Sequence, residues 1–432
     1  MRRGLSPKFI ETAILGVVAF ALSGALVRVL SSGTDDLVAT GDRRFEVALA
    51  LFYLAVALIF FAHSALCTRA VLGTPALPAL LALTFLSALW AEMPTLVLRR
   101  SIGVIGATLF GVTLASRLTF DEQLVLLRRI VRLCAFLCLG AWLVGHALGI
   151  ELVRGGILPG ETGGPWRGIF NHKNMLGSAV ALGVLLEWHL PSSSAFSRVA
   201  KFTWICVYAV LLVLSNSMTS VVALAITFAI MFAVKSFRGR YALVMPAAVV
   251  AILLCAILIF TYADSVTAAM GRSSDLTGRA DLWHWTTIMI RQRPFLGYGF
   301  SGFWRGASQE SVTLEARILW SPIYAHNGYL EILLSLGAAG LGLFALMAAS
   351  GLRRTLRIAS RAQSIQDLWP LAFIIFFLLH NMGEVSILWQ NNLEWGLFVA
   401  TVIGADPRLR AALEPEDDDL STEAVPTVAE YA

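Results

Sequence analysis

Residues 325–343, with the sequence AHNGYLEILLSLGAAGLGL, decide the fold. A His-Asn pair is followed by residues that are almost all apolar, with one carboxylate, Glu331, a turn inside the run. An apolar run of about twenty residues matches the length of a helix that crosses a lipid bilayer. The stretch therefore predicts a membrane-spanning helix over 328–350 with polar residues at its entrance.

Composition extends this prediction to the whole chain. Hydrophobic residues make up 57% of the sequence and charged residues 14%, whereas soluble domains carry about 25% charged residues. Apolar runs recur along most of the length and predict an all-α polytopic membrane protein with about twelve transmembrane helices and one long extracytoplasmic loop carrying short amphipathic helices. The spans are predicted at 10–30, 46–66, 76–91, 102–116, 131–150, 174–190, 200–215, 218–234, 241–262, 328–350, 369–386 and 391–405. The resulting segments are 1–262 with spans one to nine, 263–327 as the long loop, 328–405 with spans ten to twelve, and 406–432 as a disordered acidic tail.

Lysine and arginine predict the orientation. They concentrate in alternate short loops and at both ends of the chain, so the positive-inside rule places both termini in the cytoplasm. The net charge of +5 is spread over these loops, and nucleic acid is therefore not expected as a partner. The first apolar run is too long for a signal peptide, so we expect a retained span. This orientation puts 151–173 and 263–327 on the outer face.

The outer loop at 166–174, WRGIFNHKN, places cations at the start of an apolar run. Asn171 or Asn174 is expected to cap a helix that begins near Met175. A helix N-terminus has free N–H groups and a positive dipole end, which suit an anion, and Arg167 and Lys173 add full charges. The alternative is a capped helix with interfacial cations that reach toward water.

The long loop carries only arginines as cations. They are Arg272, Arg279, Arg291, Arg293, Arg305 and Arg317. Arginine has a planar fork that binds phosphate or carboxylate oxygens in a bidentate manner. The alternative is weak pairing with the acidic residues of the same loop. Residues 280–291 are predicted to form an amphipathic helix on the membrane surface.

After that helix, glycines alternate with aromatic residues in PFLGYGFSGFW. Gly297 and Gly299 would allow tight turns and close backbone approach. Exposed aromatic faces here could stack on sugar rings, and the alternative is an aromatic belt at the membrane interface.

His326 is the candidate general base, because histidine is the side chain best placed to accept a proton near neutral pH. Asn327 lies beside it and Glu331 one turn into the span, and the alternative is a His-Asn pair that only caps the helix. Carboxylates inside spans are costly to bury and mark candidate functional positions. They are Glu11, Glu187, Glu331, Glu384 and Glu394. A rival site is Asp35 and Asp36, which could bind a metal or act as a base; plain exposed polarity at a loop tip is the commoner role, so we rank it second.

Three local patterns also carry a resemblance to a known family. They are Arg167, Gly168, Phe170, Asn171 and Asn174; Gly278, Arg279, Trp283, Pro294, Gly297 and Gly299; and His326, Asn327, Tyr329 and Leu330. Over residues 90–400 the chain resembles the O-antigen ligase and O-antigen polymerase superfamily of bacterial membrane glycosyltransferases, and RGIFNHKNMLG looks most like the exopolysaccharide-polymerase branch. It departs from many relatives, which have Pro-Asn where this chain has His172-Lys173-Asn174.

The resemblance implies a metal-independent glycosyltransferase with a GT-C-like fold of membrane-embedded helices and no cofactor. Its donor would be an oligosaccharide on undecaprenyl diphosphate at the outer face of the bacterial inner membrane, and its acceptor a glycan or lipid-linked saccharide. The bilayer, a flippase and a chain-length regulator are the other expected partners. By matching positions, Arg167 and Arg279 would hold the diphosphate and His326 would act on the acceptor hydroxyl. The residues expected to bind substrate are Asn171, Lys173, Asn174, Trp283, Arg291, Gly297, Gly299, Asn327 and Glu331.

Three functions remain open on the sequence. The first is a polymerase that joins lipid-linked repeat units into exopolysaccharide or an O-antigen-like glycan. The second is a ligase that moves finished glycan to lipid A core or protein. The third is a polysaccharide-lipid transporter, which predicts broken helices and charged residues near mid-membrane; the polar clusters at span ends disfavour it.

Overall fold

The computed structural model describes residues 6–25, 43–148, 153, 164–236 and 277–413. Over these residues the chain forms fifteen α-helices and no β-strand. The helices are α1 (Pro7–Leu22), α2 (Arg43–Ala62), α3 (Ser64–Leu72), α4 (Ala76–Leu86), α5 (Pro94–Arg117), α6 (Phe120–Leu148), α7 (Lys173–His189), α8 (Ala195–Ser215), α9 (Met218–Ser236), α10 (Thr277–Gln292), α11 (Gln309–Ile318), α12 (Gly328–Ser360), α13 (Trp369–His380), α14 (Leu393–Gly404) and α15 (Pro407–Leu413).

Four of these helices, α5, α8, α9 and α12, are individually long and apolar enough to cross a membrane. A fifth span results if Val47–Ala62 and Ser64–Leu72, which meet at 95°, are counted as one broken segment. Helices lie at eleven of the twelve predicted span positions, and the remaining one, 241–262, falls outside the described residues. The count of twelve spans therefore stays a prediction, while the all-helical membrane architecture is confirmed for the described part of the chain.

Two ends of the helix bundle can be distinguished from the directions of the helices. The N–H of Gly328, at the start of α12, donates to the carbonyl of Asn381 just after α13, at 2.8 Å. The amide of Asn174, in the first turn of α7, reaches Glu384 in the following loop. This end, where α7, α12 and α14 begin, is called the site end. At the other end of α12, Arg354 pairs with Asp406 at 2.9 Å.

The buried core between α12, α13 and α14 is aromatic. The rings of Phe377 and Phe398 stack with centroids 4.5 Å apart, and Phe344 lies 5.5 Å from Phe398. Aromatic pairs of this kind contribute about 0.5–1.5 kcal/mol beyond their burial. Because the three helices are fixed against one another, the two loops that they carry at the site end are fixed as well.

Helix α12 is broken at Gly337, where φ is 62°. Loop residues 294–299 insert at the break and bond to the backbone groups that it leaves without helical partners. The N–H groups of Tyr298 and Gly299 donate to the carbonyls of Leu334 and Ser335 at 2.9 and 3.0 Å. In the other direction, the N–H groups of Ala338 and Ala339 donate to the carbonyls of residues 294 and 295. Unbonded backbone groups are very costly inside a bilayer. The loop is therefore a structural part of the helix that it interrupts.

Candidate active site

Glu384 lies at the centre of a polar cluster built from four separate chain segments. The Asn174 amide donates to its Oε1 at 2.5 Å, and Arg279 Nη2 donates to the same oxygen at 3.0 Å. His326 Nδ1 lies 3.8 Å from Oε2, within ion-pair distance. These four residues are called the Glu384 cluster. The four segments that meet in it are the first turn of α7, the first turn of α10, the loop before α12 and the loop after α13.

The charges of the cluster are complementary. Burial opposes ionisation of Glu384, but the contacts with His326 and Arg279 outweigh it and lower the pKa of Glu384 to about 2. Burial and the neighbouring Glu384 charge raise the pKa of the Tyr324 phenol, so that Tyr324 stays neutral. Glu384 is therefore a permanent counter-ion for Arg279.

Arg279 is held in a single orientation by two acceptors from the same loop. Its Nη1 donates to the carbonyl of Gly383 at 2.9 Å, while Nη2 faces Glu384 and lies 3.4 Å from His326 Nδ1. The side chain keeps 18% of its surface exposed. A guanidinium with fixed geometry and an accessible edge is suited to bind phosphate oxygens.

His326 adopts a left-handed backbone conformation with φ of 51°, and the peptide before it is held on both sides. The Trp283 indole, on the helix that carries Arg279, donates to the Ala325 carbonyl at 2.8 Å. The Ala325 N–H donates to the Glu331 carboxylate at 2.8 Å, and both Glu331 oxygens accept from Trp304 at 3.0 Å. Strained backbone persists only where its surroundings fix it. Trp283 and Glu331 thus position the histidine.

The His326 ring lies beside aromatic side chains. The Tyr324 ring centroid is 4.3 Å away and that of Trp320 is 6.4 Å away. Nδ1 faces Arg279 and Glu384, and among the described residues nothing bonds to Nε2. That nitrogen is therefore the position at which a substrate hydroxyl would meet the histidine.

The sequence was wrong about which residue caps α7. The helix begins at Lys173, and its N-cap is His172, whose Nδ1 accepts from the Asn174 N–H at 3.2 Å. Asn174 is inside the helix, so its amide is free to turn to Glu384. Asn171 is half-buried in the preceding loop.

Arg167 lies on the same loop at the site end, with its N–H bonded to the Val153 carbonyl at 2.8 Å. Its Nε is buried without a hydrogen-bond partner. Among the described residues, no ion pair or hydrogen bond joins it to the Glu384 cluster. Its assignment to the diphosphate stays a prediction, supported by a buried donor that lacks an acceptor.

Of four other predicted substrate-binding residues, Asn327, Gly297 and Gly299 have structural contacts, and substrate binding by all four stays a prediction. Arg291 is exposed in the last turn of α10, about 18 Å along the helix from Arg279 at 1.5 Å per residue. Asn327 caps α12, because its side-chain oxygen accepts from the N–H groups of Tyr329 and Leu330 at 3.0 and 3.1 Å. Gly297 and Gly299 have φ of 63° and 97°, and a Cβ on either would lie 2.5 Å from its neighbours. The glycines thus allow close approach to the protein's own backbone.

The aromatic residues of PFLGYGFSGFW are mostly buried, so four of the five neither stack on a sugar nor form an exposed belt. Tyr298, Phe300, Phe303 and Trp304 keep 3% of their surface or less, whereas Phe295 is 75% exposed. Tyr298, Phe303 and Trp304 belong to a small core beneath the loop, and Phe300 joins the main core of the bundle. The ion-pair alternative also applies to one loop arginine, since Arg293 Nη2 lies 3.5 Å from Glu310.

The five carboxylates predicted to lie inside spans all have polar partners. Glu11 contacts Arg117, Glu187 contacts Arg132 at 2.7 Å, and Glu394 accepts from Ser386 at 2.6 Å. Glu384 lies outside any helix, because α13 ends at His380 rather than extending to residue 386. The apolar residues on both sides of HNMGEVS concealed this loop, and the adjacent His-Asn pair, like that at 326–327, is the signal that could have revealed it.

The rival site at Asp35 and Asp36 lies outside the described residues, as does Arg272. Among residues that the structure describes, no group of three His, Cys, Asp or Glu side chains could hold a metal ion.

The comparison with known families agrees with this architecture. The family model described as O-antigen ligase matches residues 202–345, from α8 into the first half of α12. The matched region contains Arg279 and His326, whereas Arg167 and Glu384 lie outside it. No curated protein matches the chain. Over this part of the chain the sequence is therefore similar to the O-antigen ligase family.

Proposed function

We propose that this protein is a metal-independent glycosyltransferase that polymerises undecaprenyl-diphosphate-linked oligosaccharide repeat units at the outer face of the inner membrane. The observation that carries the proposal is the convergence of Arg279, His326 and Glu384 at the entrance of a membrane-spanning helix. An anion-binding cation and a candidate base lie side by side, at the level where a lipid diphosphate would meet its acceptor.

The donor diphosphate binds to Arg279. The cost of the reaction lies in the charge that develops on the leaving diphosphate, and a fixed guanidinium stabilises that charge without rearrangement. Arg167 and the positive dipole end of α7 supply further positive potential on the same side. The lipid tail stays in the bilayer, while the saccharide lies over the loops.

His326 acts on the acceptor hydroxyl through Nε2. In that role its proton must be on Nδ1, directed to Glu384 at 3.8 Å. The 3.4 Å contact of Arg279 Nη2 with Nδ1 favours the other tautomer, in which Nδ1 accepts and Nε2 carries the proton. When the diphosphate engages Arg279, this contact weakens and the basic form of His326 is favoured. Donor binding therefore precedes activation of the acceptor.

The transfer step is a displacement at the anomeric carbon. The acceptor oxygen forms a bond to that carbon, and the bond from the carbon to the phosphate oxygen breaks with its electron pair going to the diphosphate. The hydroxyl proton passes to His326 Nε2, and Glu384 stabilises the resulting imidazolium as the triad carboxylates of hydrolases do. The products are the extended glycan and undecaprenyl diphosphate.

A ligase uses the same donor chemistry with a different acceptor, such as lipid A core or protein. The polymerase is favoured by the RGIFNHKNMLG pattern, whose His172 caps α7 next to the Glu384 cluster.

A transporter would also use a broken helix, and α12 has one at Gly337. In transporters the groups freed at such a break bind the substrate or ion. Here the loop backbone at 294–299 occupies them, which favours the enzyme.

The test is an acceptor assay with purified protein, lipid-linked oligosaccharide and a chelator. We expect elongated glycan and released undecaprenyl diphosphate, and a loss of about 10²–10³-fold in rate for Arg279→Ala. His284→Ala is the control, because this histidine is exposed on the same helix. Full turnover in Arg279→Ala would refute the site, and loss of activity with the chelator would favour Asp35 and Asp36. Transfer only to core saccharide would identify a ligase.

A further inference from the structure

Two tryptophans near His326, Trp320 and Trp389, differ from four others whose indoles are bonded to the protein. The indole N–H groups of Trp90, Trp283, Trp304 and Trp395 all donate to protein oxygens at 2.8 to 3.2 Å. The indole N–H groups of Trp320 and Trp389 have no hydrogen-bond partner among the described residues; Trp320 is an exposed residue, and the N–H of Trp389 is not buried. An indole N–H normally finds an acceptor when it is buried. These two accessible N–H groups are therefore available to a ligand.

Their positions relate them to the proposed base. Trp320 lies 6.4 Å from the His326 ring, Tyr324 lies 4.3 Å from it, and Trp389 packs edge-on against Tyr324 at 5.2 Å. Trp320, Tyr324 and Trp389 are called the aromatic wall. Trp320 keeps 39% of its surface exposed, and Tyr324 and Trp389 are half-buried, so the wall has two accessible indoles.

Backbone strain is concentrated in the loops that form the wall. Among the described residues, four of the seven non-glycine residues with positive φ lie in these loops, namely Leu319, His326, Leu388 and Asn391. Leu319, at φ 63°, follows the end of α11 and stands directly before Trp320, and Leu388, at φ 52°, stands directly before Trp389. A left-handed conformation is unfavourable for leucine because of its Cβ. Strain of this kind clusters where a loop must present a side chain in a particular direction.

We infer that the aromatic wall is the acceptor subsite and that it binds a pyranose through its C–H face. A sugar ring combines an apolar face with a rim of hydroxyls, which matches an indole that offers both a π surface and an unpaired N–H. The side-chain amide of Gln390, next to Trp389, has no hydrogen-bond partner among the described residues and can bond a further hydroxyl. A sugar stacked on Trp320 brings a rim hydroxyl to His326 Nε2. This inference rests on the proposed function, since it names the acceptor side of the same reaction.

The aromatic wall offers a surface for stacking on a sugar ring, which the buried aromatic residues at 298–304 cannot offer. Donor recognition by Arg279 depends on charge, and acceptor recognition by the wall depends on shape and stacking. The two can therefore be separated by kinetics.

The experiment measures initial rates with donor and acceptor varied independently. Trp320→Ala and Trp389→Ala are expected to raise the acceptor KM about tenfold, as truncation of an aromatic contact usually does, while the donor KM stays unchanged. Trp320→Phe keeps the stacking face and should recover most of the loss. Phe295→Ala is the matched control, because it removes an exposed aromatic of the same loop that lies outside the wall.

Two acceptors separate the sources of the sugar: a lipid-linked repeat unit and a free core oligosaccharide. A rise in KM for either one supports the subsite and identifies that acceptor. Unchanged acceptor KM values in both alanine variants, with melting temperatures equal to that of the unmodified protein, would overturn it. If His326→Ala and Arg279→Ala remain inactive in that case, only the subsite fails, and if they are fully active, the proposed function fails as well.

Discussion

The protein contains two clusters with the same composition, an arginine, a histidine and a glutamate, at opposite ends of the bundle. At the site end they are Arg279, His326 and Glu384. At the other end, Glu11 accepts from Arg117 at 2.8 Å and contacts His63 at 2.9 Å. The carboxylates are similarly shielded, at 8% and 16% exposed.

The two clusters differ in the distance from histidine to carboxylate and in the backbone conformation of the histidine. His63 is within normal hydrogen-bond distance of its carboxylate and has an ordinary φ of −119°. His326 has a φ of 51° and lies 3.8 Å from Glu384, with the Arg279 guanidinium as a second neighbour of the same nitrogen. The cluster around Glu11 thus joins α1, α5 and the α2–α3 bend. The Glu384 cluster holds its histidine in strain with one ring nitrogen accessible, so composition alone does not identify an active site.

Replacement of the histidines is expected to give the largest difference in transfer rate between the two clusters. His326→Ala removes the proposed base and should lower the transfer rate about 10²–10⁴-fold, whereas His63→Ala should leave the rate near that of the unmodified protein. Both variants are to be assayed with lipid-linked oligosaccharide at saturating concentrations. A comparable loss of rate in His63→Ala would mean that the two clusters act together.

A smaller difference is expected for the carboxylates. Glu384→Gln keeps an acceptor for Asn174 and Arg279 but removes the charge that stabilises a protonated His326, so kcat should fall about 10–100-fold, as for other groups that orient a functional ligand. The donor KM should change little. Glu11→Gln should lower the thermal midpoint without changing kcat. If kcat fell in Glu11→Gln and stayed unchanged in Glu384→Gln, the roles of the two clusters would be exchanged.

Loss of the hydrogen bond from Trp283 to the Ala325 carbonyl should have a moderate effect on kcat. Trp283→Phe retains most of the packing but loses the 2.8 Å hydrogen bond to the Ala325 carbonyl, so His326 can leave its strained conformation. We expect kcat to fall about tenfold, since small misplacement of a reacting group is costly, with substrate KM values unchanged. A fall in thermal stability with unchanged kcat would show that the bond is structural only.

The smallest effect is on the pH dependence of stability. The pKa of Glu384 is lowered from 4.5 to about 2, so its ionised form stabilises the fold above about pH 4.5. This contribution is lost as the pH falls from 4.5 toward 2. The difference in thermal midpoint between the unmodified protein and Glu384→Gln should therefore be constant from pH 8 to 5 and shrink below that. A difference that grows on acidification would contradict the low pKa.

The sequence predicted the local features of the site well. The helix at 277–292 and the polar entrance to α12 depend on residues close together in the chain, as does the position of His326. Glu384 could not be predicted as their centre, because its partners at 174, 279 and 326 are distant in sequence. Asn174 and Asn327 show the same limit: two similar residues at helix starts have different roles, since only tertiary contacts decide which one caps a helix and which one turns to a carboxylate.

The break in α12 at Gly337 has a consequence for how the chain assembles. The loop at 294–299 is synthesised before the helix segments whose backbone groups it must satisfy, so those segments can complete their bonding only once the loop is already at the membrane. The first helical segment of α12 follows directly on His326. The geometry of the Glu384 cluster is thus expected to form late in biogenesis, after the loop at 294–299 has docked and the helices that follow it are in place.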